Sequence, residues 1–415
     1  VTNQNGNTGS GTRDITIDAN LPGLRVDTVA GDDVVNIIEH GQALVVTGSS
    51  SGLAEGTPLT VTINNVEYTT AVQADGSWSV GVTAAQVSTW PAGTVNIAVS
   101  GESSAGNSVS ITHPVTVDLT PAAIAINTIA TDDVINAAEK GADLTLSGTT
   151  TNVEPGQTVT VTFGGKNYTA SVASDGSWTA TLPAADLTAL PEGSASAQAS
   201  VSNINGNSAS AVHNYSVDSS APTIIINTVA SDNIVNASEA DAGVTVSGST
   251  TAEAGQIVTV TLNSPTVQTY QATVQADGSW SINIPAADLE ALTDGSHTLT
   301  ATVNDKAGNP ASTTHNLAVD LTVPVLTINT IAGDDIINAA EHGQALVISG
   351  SSTGGEAGDV VTVTLNSKTY TTTLDASGNW SVGVPAADVT ALGSGPQTVM
   401  ATVTDAAGNS DSETH

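Results

Sequence analysis

Four aspartates close short β-branched runs: Asp18 after Ile-Thr-Ile, Asp118 after Val-Thr-Val, Asp218 after Tyr-Ser-Val and Asp320 after Leu-Ala-Val. They stand 100, 100 and 102 residues apart, and each is followed within four residues by a proline (Pro22, Pro121, Pro222, Pro324). A period near one hundred residues is the size of a small domain. It divides the 415 residues into a tail strand of a preceding repeat (1–18) and four repeats, 19–118, 119–218, 219–320 and 321–415. Residues 1–18 align without gaps onto 303–320, and the last strand of the fourth repeat is expected to be truncated. The chain is therefore expected to be a piece of a longer array, out of frame with its repeats. Residues 1–17 are expected to complete the last domain of a neighbouring molecule; failing that, residues 1–12 are expected to be disordered.

The interior of each period recurs as well. Asp32-Asp33-Val-Val-Asn36 returns as Asp132-Asp133-Val-Ile-Asn136, Asp232-Asn233-Ile-Val-Asn236 and Asp334-Asp335-Ile-Ile-Asn338, each with a glutamate three residues on (Glu39, Glu139, Glu239, Glu341). Asp-Gly-Ser-Trp ends at Trp78, Trp178 and Trp280, and a variant ends at Trp380. Pro-Ala-Ala-Asp begins at 183, 285 and 385, and Gly-Asn recurs at 106, 206, 308 and 408. Apolar residues alternate with threonine in 59–63 and 158–163, the pattern of half-buried strands. Turn signals every 8–12 residues suit an all-β fold, a tandem array of immunoglobulin-like β-sandwiches of about seven strands each.

In the second repeat the first strand is placed at about 124–129, the acid-rich 132–139 as a loop, and the second strand at about 143–147. Asp-Gly before a tryptophan reads as a hairpin turn, and Pro-Ala-Ala-Asp as one helical turn opened by its proline.

Charge removes several function classes. Forty Asp and Glu face six Lys and Arg, a formal charge of −34, and the cations are scattered singly. Phosphate backbones need clustered cations, so nucleic acid is excluded as a partner; anionic membrane surfaces are disfavoured in the same way. No apolar run approaches the roughly 18 residues of a spanning helix, so this segment is not expected to insert into a membrane. There are no cysteines, hence no disulfides and no thiolate metal sites. Only 3% of the residues are aromatic, so the cores must be built from Val, Ile, Leu and Ala.

In an immunoglobulin-like sandwich the loop after the first strand lies at the trailing end, and the turn before the last strand lies at the leading end of the next domain. The acid loop, the linker aspartate and the Gly-Asn turn are then expected to meet at each boundary. Between repeats 2 and 3 this gathers Asp132, Asp133, Asn136, Glu139, Asp218 and Asp305; the equivalents elsewhere are Asp18, Asp32, Asp33, Asn36, Glu39, Asp118, Asp232, Asn233, Asn236, Glu239, Asp320, Asp334, Asp335, Asn338, Glu341 and Asp405. Carboxylates a few ångströms apart repel by roughly 1–4 kcal/mol per pair, and few protein cations are present to relieve this. Ca²⁺, which takes six to eight oxygen ligands, is the expected cofactor; Mg²⁺ and Zn²⁺ suit the donors less well. Position 405 is Asp and 305 is Asp, but 203 is Asn and 103 is Ser, and the third repeat has Asn233 in place of the second loop aspartate. The tightest site is therefore expected between repeats 2 and 3, then between 3 and 4, with the weakest between 1 and 2. Taken one at a time, such loops are ordinary turns rich in Asp and Asn.

The remaining recurrent residues read as structure. The four repeating tryptophans are expected to anchor cores, Tyr68, Tyr168, Tyr270 and Tyr370 to pack on strands, and Trp90, which has no counterpart, to lie at the surface. His113, His213, His315 and His415 read as edge-strand polar residues. Paired acids could suggest a glycosidase, but here they recur in every repeat and no catalytic motif accompanies them, so no enzyme is expected.

The combination of linker Asp, Asp-Asp-x-x-Asn-x-x-Glu, Asp-Gly-Ser-Trp and Gly-Asn resembles the bacterial Ig-like repeats of giant, type I-secreted, non-fimbrial adhesins and biofilm-associated proteins of Gram-negative bacteria, along essentially the whole chain. The resemblance implies an extender: a secreted, cell-surface string of domains, stiffened by calcium at its boundaries, that projects a binding region placed elsewhere. Its partners are then calcium and the neighbouring repeats, in a rod of roughly 150 Å for four sandwiches. Extracellular modules often bind calcium at about 10⁻⁴–10⁻³ M, so the repeats are expected to stay loose in the cytosol and stiffen after export. The competing readings are a direct adhesive module for host glycans or other adhesin copies, and packing in a surface layer.

Overall fold

In the first repeat the alternation of apolar and hydroxyl residues becomes eight strands: β1 (Gly23–Val26), β2 (Val34–Val35), β3 (Leu44–Ser51), β4 (Pro58–Ile63), β5 (Val66–Ala71), β6 (Ser77–Val82), β7 (Gly93–Glu102) and β8 (Ser108–Val117). A single helical turn, α1 (Ala84–Val87), follows β6. The strands form a three-stranded sheet, β1-β3-β6, and a five-stranded sheet, β2-β8-β7-β4-β5. Leu59, Val61 and Ile63 of β4 face inward, with threonines between them.

The second and third repeats have the same strand order, and the fourth has sheets of three and four strands. This computed structural model describes residues 1–263 and 266–415. The chain divides into two compact units, Val1–Ile135 with Glu139–Val217 and Asn136–Ala138 with Asp218–His415. Within them, each repeat closes its own apolar cluster.

One strand beyond the expected seven comes from inside the acid loop. β2 pairs in parallel with β8, Val34 opposite Thr116 and Val35 opposite Val117. An apolar anchor explains it: Val35, and at the same place Ile135 of repeat 2 and Val235 of repeat 3, are wholly buried. The short strand also covers backbone groups that β8 would otherwise leave unpaired at the sheet edge. In the second repeat the first two full strands run Ala123–Ile126 and Leu144–Thr151.

Trp78, Trp178, Trp280 and Trp380 are at most 3% exposed. Burying an indole removes roughly 200 Å² from water, worth about 5 kcal/mol. The turn before it is not a hairpin between paired strands. β5 and β6 lie in different sheets, and Asp75 accepts the Ser77 N–H at 2.9 Å while Gly76 adopts φ +82°. Asp-Gly therefore marks a crossover between sheets here. The two-residue hairpin is at Asn64-Asn65, both with positive φ, between the directly paired β4 and β5.

Trp90 is 2% exposed, contrary to the expected surface position. It stands where the other repeats bury Leu190, Leu292 and Leu392, and its carbonyl accepts from His40 Nε2 at 2.9 Å. Pro183 caps the helical turn Ala184–Leu187 from outside, with extended ψ, rather than opening it. Residues 1–18 are exposed and hold one isolated bridge, Thr2 to Thr8. Among the described residues no helix is long and apolar enough to cross a membrane.

Candidate functional site at the repeat boundaries

The acid loop first builds itself. Asp32 Oδ1 accepts the Val34 N–H at 3.0 Å. Asp33 sits at φ +62°, accepts the Val29 N–H at 2.8 Å and lies 2.7 Å from His113 Nε2. Burial pushes the Asp33 carboxyl up, but His113 and the Val29 N–H outweigh it and hold it below the usual range. Asn36 and Glu39 exchange side-chain and backbone bonds, each at 3.1 Å, a capping box that closes the turn.

The other copies repeat the arrangement. Asp132 and Asp133 bind Val134 and Ile129, with His213 on Asp133. Asp232 and Asn233 bind Ile234 and Val229, with His315 on Asn233. Asp334 and Asp335 bind Ile336 and Ile331, with His415 on Asp335. Asn236 with Glu239 and Asn338 with Glu341 form the same box, and Asn136 Oδ1 accepts the Ala138 N–H; Glu139 is also partnered. The histidines thus have partners within their own repeat that their spacing did not reveal.

Within the first unit, three segments meet between repeats 1 and 2. The Ile37 N–H, in the acid loop of repeat 1, donates to Asn207 Oδ1 of repeat 2 at 2.8 Å. Asn207 Nδ2 donates back to the carbonyl oxygen of the linker residue Asp118 at 3.1 Å. Gly206 stands at φ +82°, and a Cβ there would lie 3.0 Å from Asn36 Nδ2. Gly-Asn is therefore a staple: glycine permits the turn and the close approach, and asparagine bridges linker and preceding repeat.

The same staple closes repeats 3 and 4 within the second unit. The Ala237 N–H donates to Asn409 Oδ1 at 2.8 Å, Asn409 Nδ2 donates to the Asp320 carbonyl at 3.0 Å, and Asn236 Nδ2 donates to the Ala407 carbonyl at 3.1 Å. At the head of repeat 1 Asn107 reaches the Asp18 carbonyl at 3.1 Å, and at the head of repeat 3 Asn309 reaches that of Asp218 at 2.9 Å.

Electrostatics separate the two boundaries. Asp405, beside Asp320 in the fourth repeat, accepts from Asn409 through both oxygens. Asp305 does the same with Asn309 and is only 7% exposed. The Asp320 carboxyl is pushed above the usual range, by burial and then by the charges of Asp405, Asp294 and Asp359. Asp294 is held low by the Leu321 N–H and the Thr322 hydroxyl, so it stays charged and feeds that repulsion. Asp294 and Asp359 were not among the expected ligands. They occupy the helical-turn loop of repeat 3 and the loop before the third full strand of repeat 4, which the trailing-end and leading-end geometry already brings to a boundary. Among the described residues no three His, Cys, Asp or Glu side chains form a group that would hold a metal outright. The acids feel one another without sharing a centre.

A second recurrent set lies on the flank of the sandwich. Tyr168 donates to Asp186 at 2.7 Å, and Lys166 binds the other oxygen of the same carboxylate. Tyr270 donates to Asp288 and Tyr370 to Asp388, the latter also holding Lys368. The aspartate of Pro-Ala-Ala-Asp is thus the acceptor for the repeating tyrosine. Burial, then Asp186, pushes the Tyr168 phenol up to about 12. A raised phenol contributes stability that is complete below about pH 10 and is lost as pH rises toward 12. Tyrosinate absorbance should therefore show Tyr168 ionising well after an ordinary tyrosine, and Asp186→Asn should bring it forward. Simultaneous ionisation in both proteins would refute the pairing.

Residues 221–321 match the family described as Bacterial Ig-like domain. The chain is 36% identical to a solved Ca²⁺-stabilized adhesin that helps an Antarctic bacterium reach out and bind ice, over 96% of this chain and 98% of that one, with a TM-score of 0.39. It is 32% identical to a structure bearing on host cell surface retention of a 1.5-MDa bacterial ice-binding adhesin, over 72% of this chain and 98% of that one, with a TM-score of 0.39. A tetra-tandem repeat in the extending region of a large adhesion protein is 26% identical, over 94% and 97% of the two chains, with a TM-score of 0.36. The kinship rests on sequence identity, since none of these overlays reaches one half. No curated protein matches the chain.

Proposed function

Because the chain belongs to the bacterial Ig-like repeats of large adhesins, we propose that it is an extender segment of a bacterial surface adhesin, secreted and stiffened outside the cell by calcium at its boundaries. The observation that carries this reading is the Asp320 carboxyl, raised by burial and by Asp405, Asp294 and Asp359 with no lysine or arginine among the causes. A hard divalent cation neutralises such a cluster and favours carboxylate, amide and backbone oxygens.

In this reading Asp320, Asp405, Asp359 and Asp294, which feel one another without sharing a centre, would be drawn together on calcium between repeats 3 and 4, with acid-loop oxygens of Asp232 and Glu239 on the side of repeat 3. Calcium supplies charge compensation there. The chain's own staple, Asn409 between Ala237 and Asp320, sets the angle that the ion then fixes. Asp218 and Asp305 provide the same carboxylates ahead of repeat 3. In cytosol low in calcium the acids repel and the boundaries stay loose; outside, they close.

The repeating tryptophans are buried in the cores, and binding hot spots favour exposed Trp, Tyr and Arg. That favours a spacer over a receptor-binding tip. Small-angle scattering tests the proposal: the radius of gyration should change when calcium is replaced by EGTA, and an identical curve would sink the idea.

A further inference from the structure

The boundary between repeats 1 and 2 presents amide donors where that between repeats 3 and 4 presents acids. Asp118 Oδ2 accepts from Nδ2 of Asn205 at 2.8 Å, of Asn207 at 3.1 Å and of Asn203 at 3.4 Å. In repeat 4 the positions of Asn203 and Asn205 are occupied by Asp405 and Ala407.

Two of these amides cannot turn around. Asn203 Oδ1 is held by the N–H groups of Asn205 at 3.1 Å and Asn207 at 2.8 Å. Asn207 Oδ1 is held by the Ile37 N–H of the preceding repeat at 2.8 Å. Flipping either amide would set donor against donor. Both side chains are buried, Asn203 at 5% and Asn207 at 2% exposed. Their NH₂ groups are therefore committed to Asp118, at the place where a cation would need oxygen lone pairs.

We propose that the boundary between repeats 1 and 2 is a metal-independent lock, in which asparagine amides on the Asp118 carboxylate replace the cation required at acid-rich boundaries. The array then contains two kinds of joint, since the position of Asn203 is aspartate in repeats 3 and 4. Chelation releases the acid-rich joint and leaves the amide joint closed, so the extender becomes jointed at chosen points rather than limp along its length. The charge balance agrees. Burial pushes the Asp118 carboxyl up, but Asn205, Thr120 and Asn203 outweigh it and hold it below the usual range, whereas Asp320 moves the opposite way. The lock stands apart from the calcium reading, because it needs only bonds already made.

The absence of cysteine makes the test direct. Spin labels on Val45→Cys and Val212→Cys report the first joint, and labels on Thr245→Cys and Val347→Cys report the third, all in the full chain. The first pair should give a narrow distance distribution of the same width in calcium and in EGTA. Asn203→Asp with Asn205→Ala, checked for a native circular dichroism spectrum, should broaden it in EGTA and narrow it again in calcium. Broadening of the unsubstituted first joint in EGTA would overturn the proposal, as would a double variant that stays narrow in EGTA. The pair at the third joint reports separately: if its width ignores EGTA, the calcium reading fails while the lock is untouched.

Discussion

Replacing Gly148 by alanine is expected to lower the melting of repeat 2 by more than any surface change could. A Cβ there would lie 2.0 Å from the Ala125 carbonyl oxygen and 2.4 Å from Trp178 Cζ2. Neither neighbour can yield cheaply. Ala125 is fixed by pairing along Ala123–Ile126, and Trp178 is 1% exposed at the centre of its cluster. Overpacking of this kind costs about 3 kcal/mol or more, against a total of about 5–15 kcal/mol for a whole domain. For a domain of this size each kcal/mol moves the midpoint by about 4–8 °C. Calorimetry of the full chain should show one component displaced downward by at least 12 °C or so. Gly81→Ala is the control, because its added Cβ meets nothing within 4 Å. A melt unchanged by Gly148→Ala would mean that strand and indole do not pack this closely.

Calcium removal is expected to have the next largest effect, confined to the acid-rich boundaries. At a concentration 100-fold above its dissociation constant a ligand specific for the folded state adds about 2.7 kcal/mol. For an extracellular-type site with a constant near 10⁻⁴ M this is reached at about 10 mM calcium. The component containing repeats 3 and 4, twice the size of a single repeat, should then melt roughly 5–10 °C higher in calcium than in EGTA. Asp320→Asn should abolish most of that difference while raising the EGTA melt slightly, since it removes a repelled carboxylate. The same shift in Asp320→Asn and in the unsubstituted protein would place the ion elsewhere.

Much of the architecture was legible because it repeats. The spacing of Asp18, Asp118, Asp218 and Asp320 marks the period, the alternation in 59–63 marks a half-buried strand, and the tryptophans mark cores. Less legible was anything that depends on which strands lie across from one another. Gly48, Gly148, Gly248 and Gly350 recur at the same place in every repeat, yet only the packed sandwich shows each one beneath an indole. Asp-Gly misled, because a turn carries no label saying whether its strands share a sheet. The same limit applied to the site. Asn36 and Glu39 recur with Asp32 and Asp33 and read together as ligands, whereas they also satisfy the loop's own N–H groups. Gly-Asn was visible four times, but its role as a staple follows from contacts about 170 residues apart in sequence, such as Ile37 to Asn207.

The parallel pairing of β2 with β8 bears on tension. β2 lies near the start of a repeat and β8 runs into its exit linker, with the Thr116 N–H on the Asp33 carbonyl at 2.9 Å and the Asp118 N–H on the Val35 carbonyl at 3.0 Å. Pulling the two ends of the repeat apart slides these strands past each other lengthwise. The bonds between them are then loaded in shear and share the force, instead of unzipping one after another as they would at a peeled edge. Repeats 1, 2 and 3 each carry such a shear clasp, seated on the wholly buried Val35, Ile135 or Val235.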